Sequence, residues 1–125
     1  LPKLFIQKIG MEGPAYIAMH QRHVRRVLDL GVRVAAGTDG VQVGVLPTAV
    51  ADEARFLGEV AGSPMFGIRS ATSLAAAALG VEGDRGTIAV GKRADLLAVA
   101  GDPLEDMACL RNVRMVLKDG QIVAG

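Results

Sequence analysis

Helix-spaced and strand-spaced runs of apolar positions follow one another along the chain, and the change of period organises it. Ile17, His20, Val24, Val27 and Leu28 recur at three- and four-residue steps. That spacing predicts an amphipathic helix, opened by Gly13-Pro14 because proline is tolerated at the first helical position. Arg22, Arg25, Arg26 and Asp29 fall mostly off the stripe, and the late arginines suit the negative end of the helix dipole. Gly31 reads as the helix stop. Immediately after it, Val32, Val34 and Ala36 alternate with Arg33, Ala35 and Gly37, which predicts a short strand. The strand runs into Gly37-Thr-Asp-Gly40, which is turn chemistry around one acid, Asp39. Residues 1–12 show no clean period and read as a loop with a short helical turn.

Gly40 to Pro47 reads as a loop with two glycines and a proline. A second helix is expected from Ala49 to about Val60, with Thr48 as its N-cap and Ala61-Gly62 as its end. Ser63-Pro64 opens a third, with serine as cap and proline at the first position. This helix is expected to run unbroken to Leu79, stop at Gly80, and bury Ile68, Thr72, Ala75, Ala76 and Leu79. From Val81 the character changes. Ala94 to Ala100 reads as a strand, Gly101-Asp-Pro103 as a turn, and Leu104 to Asn112 as a short helical or irregular connector. Asp119-Gly120 lies between the apolar runs Val113–Leu117 and Gln121–Ala124, a strong local signal for a hairpin. A boundary is expected near residue 80. Before it, a helix, a glycine joint and a strand form the αβ half of a βαβ repeat; after it come antiparallel strands.

Composition narrows the classes. With 125 residues the chain is large enough for one core, and its net charge of +1 gives no electrostatic case for nucleic acid or a membrane surface. No apolar run approaches the ~18 residues of a membrane span, and the N-terminus carries no signal-peptide pattern. A single cysteine, Cys109, excludes an internal disulfide and fits a reducing, cytoplasmic setting. Phe5, Tyr16, Phe56 and Phe66 are the only aromatics beside 16 glycines, so packing is expected to rely on close backbone approach. Leu1 stands where a translation start would have methionine, which reads as a trimmed or excised chain.

Asp39 is the leading chemical candidate, since α/β barrels place their chemistry at the C-terminal ends of strands; the tetrapeptide taken alone favours the plainer reading, an acid that only shapes a turn. His20 and His23 stand three apart on the first helix, but two imidazoles do not complete a zinc site. His20 reads as a partly buried packing residue and His23 as a solvated one. Asp95 is expected to fix a turn or the start of a strand through backbone hydrogen bonds, and Lys92 and Arg93 to be solvated. Asp52 and Glu53 sit early on a helix, where the dipole favours acids. The Gly40–Pro47 loop is placed to touch a substrate, as loops after barrel strands do.

Three stretches in order resemble the C-terminal portion of the metal-dependent amidohydrolase superfamily. Gly31-Val-Arg-Val-Ala-Ala-Gly-Thr-Asp39 is similar to the last barrel strand with its metal-site aspartate. Ser70-Ala-Thr-Ser-Leu-Ala-Ala-Ala-Ala-Leu-Gly80 resembles the helix that follows the barrel's final turn. Gly86-Thr-Ile-Ala-Val-Gly-Lys-Arg-Ala-Asp-Leu-Leu-Ala-Val99, followed by Asp102-Pro103 and Val116-Leu-Lys-Asp-Gly120, resembles the motif that opens the small β-sandwich and the hairpin that closes it. The resemblance covers roughly residues 28 to 125, and the phrasing is nearest the imidazolonepropionase-like and Xaa-Pro-dipeptidase-like branch.

The resemblance implies an α/β fold: a C-terminal piece of a TIM-type (β/α)8 barrel over residues 1–80, and the C-terminal strands of a composite β-sandwich over 81–125. A whole barrel takes about 250 residues, so the chain is expected to be a fragment. The family's site holds one or two divalent metals, commonly zinc, between a His-x-His pair, further histidines, a bridging lysine or acid, and the final-strand aspartate. Asp39 matches this last position, as metal ligand and general base. The implied reaction is hydrolysis of an amide or other C–N bond in a small-molecule or peptide-like substrate. The chain alone is expected to bind no metal and to be inactive. The alternative is a non-catalytic truncated module that self-associates or binds a partner through its bared barrel face.

Overall fold

The computed structural model describes residues 13–38 and 49–125. The chain packs as two compact units, residues 1–32 and 33–125. The first unit carries α1, Gly13–Asp29, opened and closed where the sequence pattern places its ends. Gly31, with φ at +74°, donates to the Leu28 carbonyl at 2.9 Å, and Val32 donates to the Val27 carbonyl at 3.2 Å. This crossed pair of bonds is the Schellman stop, which needs a left-handed residue. α1 buries none of its residues, and Ile17 on its apolar stripe is 51% exposed. His20 is exposed as well, not partly buried, and its ring stacks on Tyr16 one turn away at 6.1 Å.

The second unit begins with residues 33–38. Val34, Ala36 and Thr38 are half-buried while Arg33, Ala35 and Gly37 are exposed, so the period-two pattern is real. Residues 32–38 nevertheless form no strand. A strand of a parallel sheet exists through bonds to neighbours on both sides. Here, among the described residues, Ala36 N–H instead donates to the Ser70 carbonyl at 2.9 Å.

The core lies where α2 (Ala49–Ala61) crosses α3 (Pro64–Ser70) over a 3₁₀ turn, Met107–Arg111. Ala54, Leu57 and Gly58 of α2, Gly67 and Ser70 of α3, and Met107 are buried there, with Met107 against both Gly58 and Gly67. Two glycines make the crossing close. A Cβ on Gly67 would strike the Ala54 carbonyl oxygen and lie 2.7 Å from Met107 Cε; one on Gly58 would lie 2.7 Å from Met107 Sδ. The expectation of packing by backbone approach is met here. Ser63 caps α3 as expected, its hydroxyl accepting from Phe66 N–H at 3.2 Å. Gly62 and Gly80 close α2 and the next helix with the same crossed bonds as Gly31. Thr48, the expected cap of α2, lies outside the described residues.

The expected single helix from Pro64 to Leu79 is two, α3 and α4 (Ser73–Ala78), with a break at Ala71-Thr72. The Ser70 hydroxyl donates to Gly67 O at 2.6 Å and the Thr72 hydroxyl to Ile68 O at 2.8 Å. Hydroxyls that return to the preceding turn compete with the helical ladder. The Ser70 carbonyl leaves the ladder altogether to accept from Ala36. The buried stripe is correspondingly shorter than expected: Ala76 is buried, Ile68 and Ala75 are half-buried, but Thr72 and Leu79 are exposed. The loop after α4 returns over it at Gly86, whose φ is +87° and where a Cβ would strike the Ala76 Cβ.

The rest is one antiparallel sheet in the order β1 (Leu96–Val99), β2 (Val113–Lys118), β3 (Gln121–Ala124). Leu97 pairs with Val116, and Lys118 with Gln121. Asp119 and Gly120, with φ at +51° and +79°, make the two-residue turn that the Asp-Gly pair predicts. Each bound of β1 lies inside the run expected for it.

Candidate functional site

Asp39 and the Gly40–Pro47 loop lie outside the described residues. What is described is the segment that leads to them. Thr38 ends it half-buried, and the Ala36–Ser70 bond ties it to the C-terminal end of α3. Ser70 is the one fully buried polar side chain among the described residues. Its hydroxyl has a partner in Gly67 O, so burial leaves it satisfied.

His20 and His23 both lie exposed on α1. Among the described residues no three of His, Cys, Asp and Glu converge to hold a metal ion. Asp39, the one metal ligand that the resemblance assigns to this chain, is not among those residues. An open groove of about 370 Å³ beside Arg55, Glu59, Ser63, Glu105 and Asp106 mixes both signs of charge at the mouth of the Met107 core. Cys109 is buried, and burial, with Asp106 and Asp102 adding to it, raises its thiol above the ordinary range. A thiol so placed is a packing group and not a nucleophile.

The densest polar geometry is a clasp around Asp95. One carboxylate oxygen accepts from the Asp119 backbone N–H at 2.9 Å. The other accepts from Lys118 Nζ at 2.6 Å and from Arg85 at 3.1 Å. Arg93 adds a second bridge, to Asp84 at 2.8 Å and to Asp119 at 3.0 Å. The Lys118 hydrogen bond and then the Asp119 amide hold the Asp95 carboxyl below its usual range. Asp84 is lowered too, first by its hydrogen bond to Arg85. The backbone bond from Asp119 is the role expected of Asp95, at the start of β1. The basic partners are not visible in sequence, because Arg85 and Lys118 stand 10 and 23 residues away. Arg93 is bridged and not merely solvated, and Lys92 bonds the Glu82 carbonyl and Thr87 Oγ1. Asp52 pairs with Arg111 across the α2 core, a tertiary contact beyond its favourable place on the dipole. The clasp ties the loop after α4 to the start of β1 and to the β2–β3 turn.

With this geometry in hand, comparison with known proteins is informative. The model of the amidohydrolase family matches residues 7–123. No curated protein is a significant match. A solved Xaa-Pro dipeptidase with methionine bound in its active site is 38% identical, with a TM-score of 0.73 over 84% of this chain. A Bifidobacterium longum protein provisionally described as a prolidase is 34% identical, with a TM-score of 0.75 over 80% of this chain. A prolidase complexed with N-methylphosphonate-L-proline is 31% identical, with a TM-score of 0.71 over 82%. The chain spans about a quarter of the length of each, 25%, 25% and 26%.

Proposed function

Because the chain belongs to the amidohydrolase family, we propose that it is the C-terminal segment of a metal-dependent hydrolase of C–N bonds, with Asp39 as metal ligand and general base. The observation that carries this reading is the three-part match in order: the strand-spaced segment ending at Asp39, the Ser70–Gly80 helix region, and the Gly86–Val99 motif with its hairpin. The likeness to dipeptidases and prolidases supports a peptide-like substrate, and we take an Xaa-Pro dipeptide as its class. In this reading residues 1–80 are the last part of a (β/α)8 barrel, and 81–125 are strands of a composite sandwich. The lone cysteine supports a cytoplasmic setting.

Zinc or another divalent cation, when bound, supplies Lewis acidity at the site. In this reading Asp39 would be one of the residues that hold the cation and would act as the general base toward water. The Ala36–Ser70 bond ties the described segment that precedes Asp39 in sequence to the end of α3. The other ligands belong to parts of the hydrolase beyond this chain, so the chain alone is inactive.

The test is made on the longer protein that carries this segment. It should hold one or two divalent metal ions per chain, hydrolyse alanyl-proline, and stop when a chelator removes the metal. A metal-free protein that hydrolyses the dipeptide as fast would contradict the reading. The second reading, a self-associating module, draws on the near-complete exposure of Ile88 (89%) and Val90 (106%) and on the exposure of every residue of β3. A monomer by light scattering at all concentrations would rule it out.

A further inference from the structure

One motif singled out in the sequence has no part in the proposed chemistry: Gly86-Thr-Ile-Ala-Val-Gly-Lys-Arg-Ala-Asp95. From Gly86 to Gly91 it carries no charged side chain and forms a loop. The Lys92 N–H donates to the Ala89 carbonyl at 3.2 Å and closes a turn, with Gly91 supplying the positive φ, +86°, that a type II turn needs at its third position. Val90 stands at the corner of this turn, 106% exposed, and Ile88 before it is 89% exposed. Turn chemistry favours glycine, proline, asparagine, aspartate or serine. It does not call for two β-branched apolar side chains in water. The base of the loop is fixed. Gly86, with φ at +87°, seats it on α4, where a Cβ would strike that of Ala76. The Arg93 N–H donates to the Asp84 carbonyl at 3.0 Å, and Lys92 Nζ reaches across to Thr87 Oγ1 at 2.7 Å and to the Glu82 carbonyl. Arg93 also bridges Asp84 and Asp119. The loop is thus tied to α4 and to the β2–β3 turn, and its apolar tip is held out already shaped.

We propose that residues 87–90 are a preformed plug, whose Ile88 and Val90 enter an apolar pocket in the remainder of the hydrolase polypeptide. This rests on the reading of the chain as one segment of a longer hydrolase. The loop's place favours that occupant. It falls inside residues 7–123, which the family model matches, so it belongs to the pattern the family shares. The chain covers 25% of the length of two solved relatives, so about three-quarters of each has no counterpart here. The loop's size argues against a second copy of the chain. Two side chains by themselves fall far short of the ~800 Å² per partner that a stable interface buries. A plug on a continuous polypeptide bears none of the cost of bringing two molecules together, and one already shaped loses little freedom on docking.

Two measurements test it. Ile88→Cys and Val90→Cys are made singly in the 125-residue chain and in the longer hydrolase, treated with a thiol reagent, and the labelled peptide is read by mass. In the 125-residue chain both should react as open thiols, while the buried Cys109 stays unlabelled. In the longer hydrolase both should react at least about a hundredfold more slowly, because reaction waits for local opening. Open-thiol rates in the folded longer hydrolase overturn the proposal. So does slow reaction in the 125-residue chain that speeds on dilution, which makes a second copy the occupant. The second measurement is thermal unfolding of Ile88→Asp. It should leave the Tm of the 125-residue chain within about 2 °C and lower that of the longer hydrolase by at least about 5 °C. A longer hydrolase that keeps its Tm with a charge at position 88 overturns the plug. Neither measurement needs a substrate. Should the longer hydrolase leave alanyl-proline intact, the substrate assignment above fails, and labelling and unfolding still decide for or against the plug.

Discussion

Replacing Gly67 with alanine sets two effects of opposite sign against each other. Alanine is the better helix former, and inside α3 the change should stabilise by about 1 kcal/mol. The added Cβ, however, has no room. It would strike the Ala54 carbonyl oxygen and lie 2.7 Å from Met107 Cε and 3.1 Å from Gly58 Cα. Met107 can swing away, but two of the three neighbours are backbone and can yield only if α2 and α3 separate. Overpacking of this kind costs about 1–3 kcal/mol, and the backbone contacts place it at the upper end. The net expectation is destabilisation by about 1–2 kcal/mol, or a fall in Tm of roughly 4–8 °C for a chain of this size. Thermal and urea unfolding followed by circular dichroism read it. Gly83→Ala is the control, because nothing lies within 4 Å of a Cβ there, and it should stay within about 0.5 kcal/mol of the parent. Adding Met107→Ala to Gly67→Ala should not restore stability, since the Ala54 carbonyl remains. A Gly67→Ala chain as stable as the parent, or more so, would refute the close-crossing argument.

Other consequences follow from the same contacts. Leu57, 2% exposed in the α2–α3 core, should cost about 2–5 kcal/mol when cut to alanine, measured by urea unfolding. Asp95 and Asp84 are held below the usual carboxylate range, so their contribution is complete above the unfolded-state value and is lost as pH falls through the lowered folded one. Thermal unfolding from neutral to strongly acidic pH should show this loss, and Asp95→Ala should flatten it; an equally steep profile in the variant would remove Asp95 from the clasp. Cys109 should react with a thiol reagent only when the chain unfolds, and immediate labelling of the folded chain would contradict its burial.

Sequence reasoning reads local chemistry well and tertiary competition poorly, and this chain shows both. Gly31, Gly62 and Gly80 stop helices because a left-handed stop is a local requirement, visible in the residue itself. The same holds for Ser63 and for Asp119-Gly120. The break at Ala71-Thr72 was not legible. Its alanine-rich surroundings favour an unbroken helix, and what competes is an amide 34 positions earlier in the chain, at Ala36. Residues 33–38 alternate in burial as a strand would, while Val32 of the expected inward set is exposed, and such a pattern cannot supply neighbouring strands. Asp95 was placed correctly at a backbone bond, while its basic partners had to be brought in by the fold. Of the proposed site the sequence offers Asp39 alone, through the motif it ends, and that residue lies outside the described ones.

The central claim is that Asp39 does the chemistry of an amidohydrolase. The most direct measurement is the kcat of Asp39→Asn for alanyl-proline in the longer metal-loaded protein, beside its thermal stability. Asparagine keeps the size and loses the base, so the rate should fall by at least about 10²–10⁴-fold, the usual worth of a general base, with Tm unchanged. A variant that turns over at the parent rate would leave Asp39 as a residue that only shapes its turn.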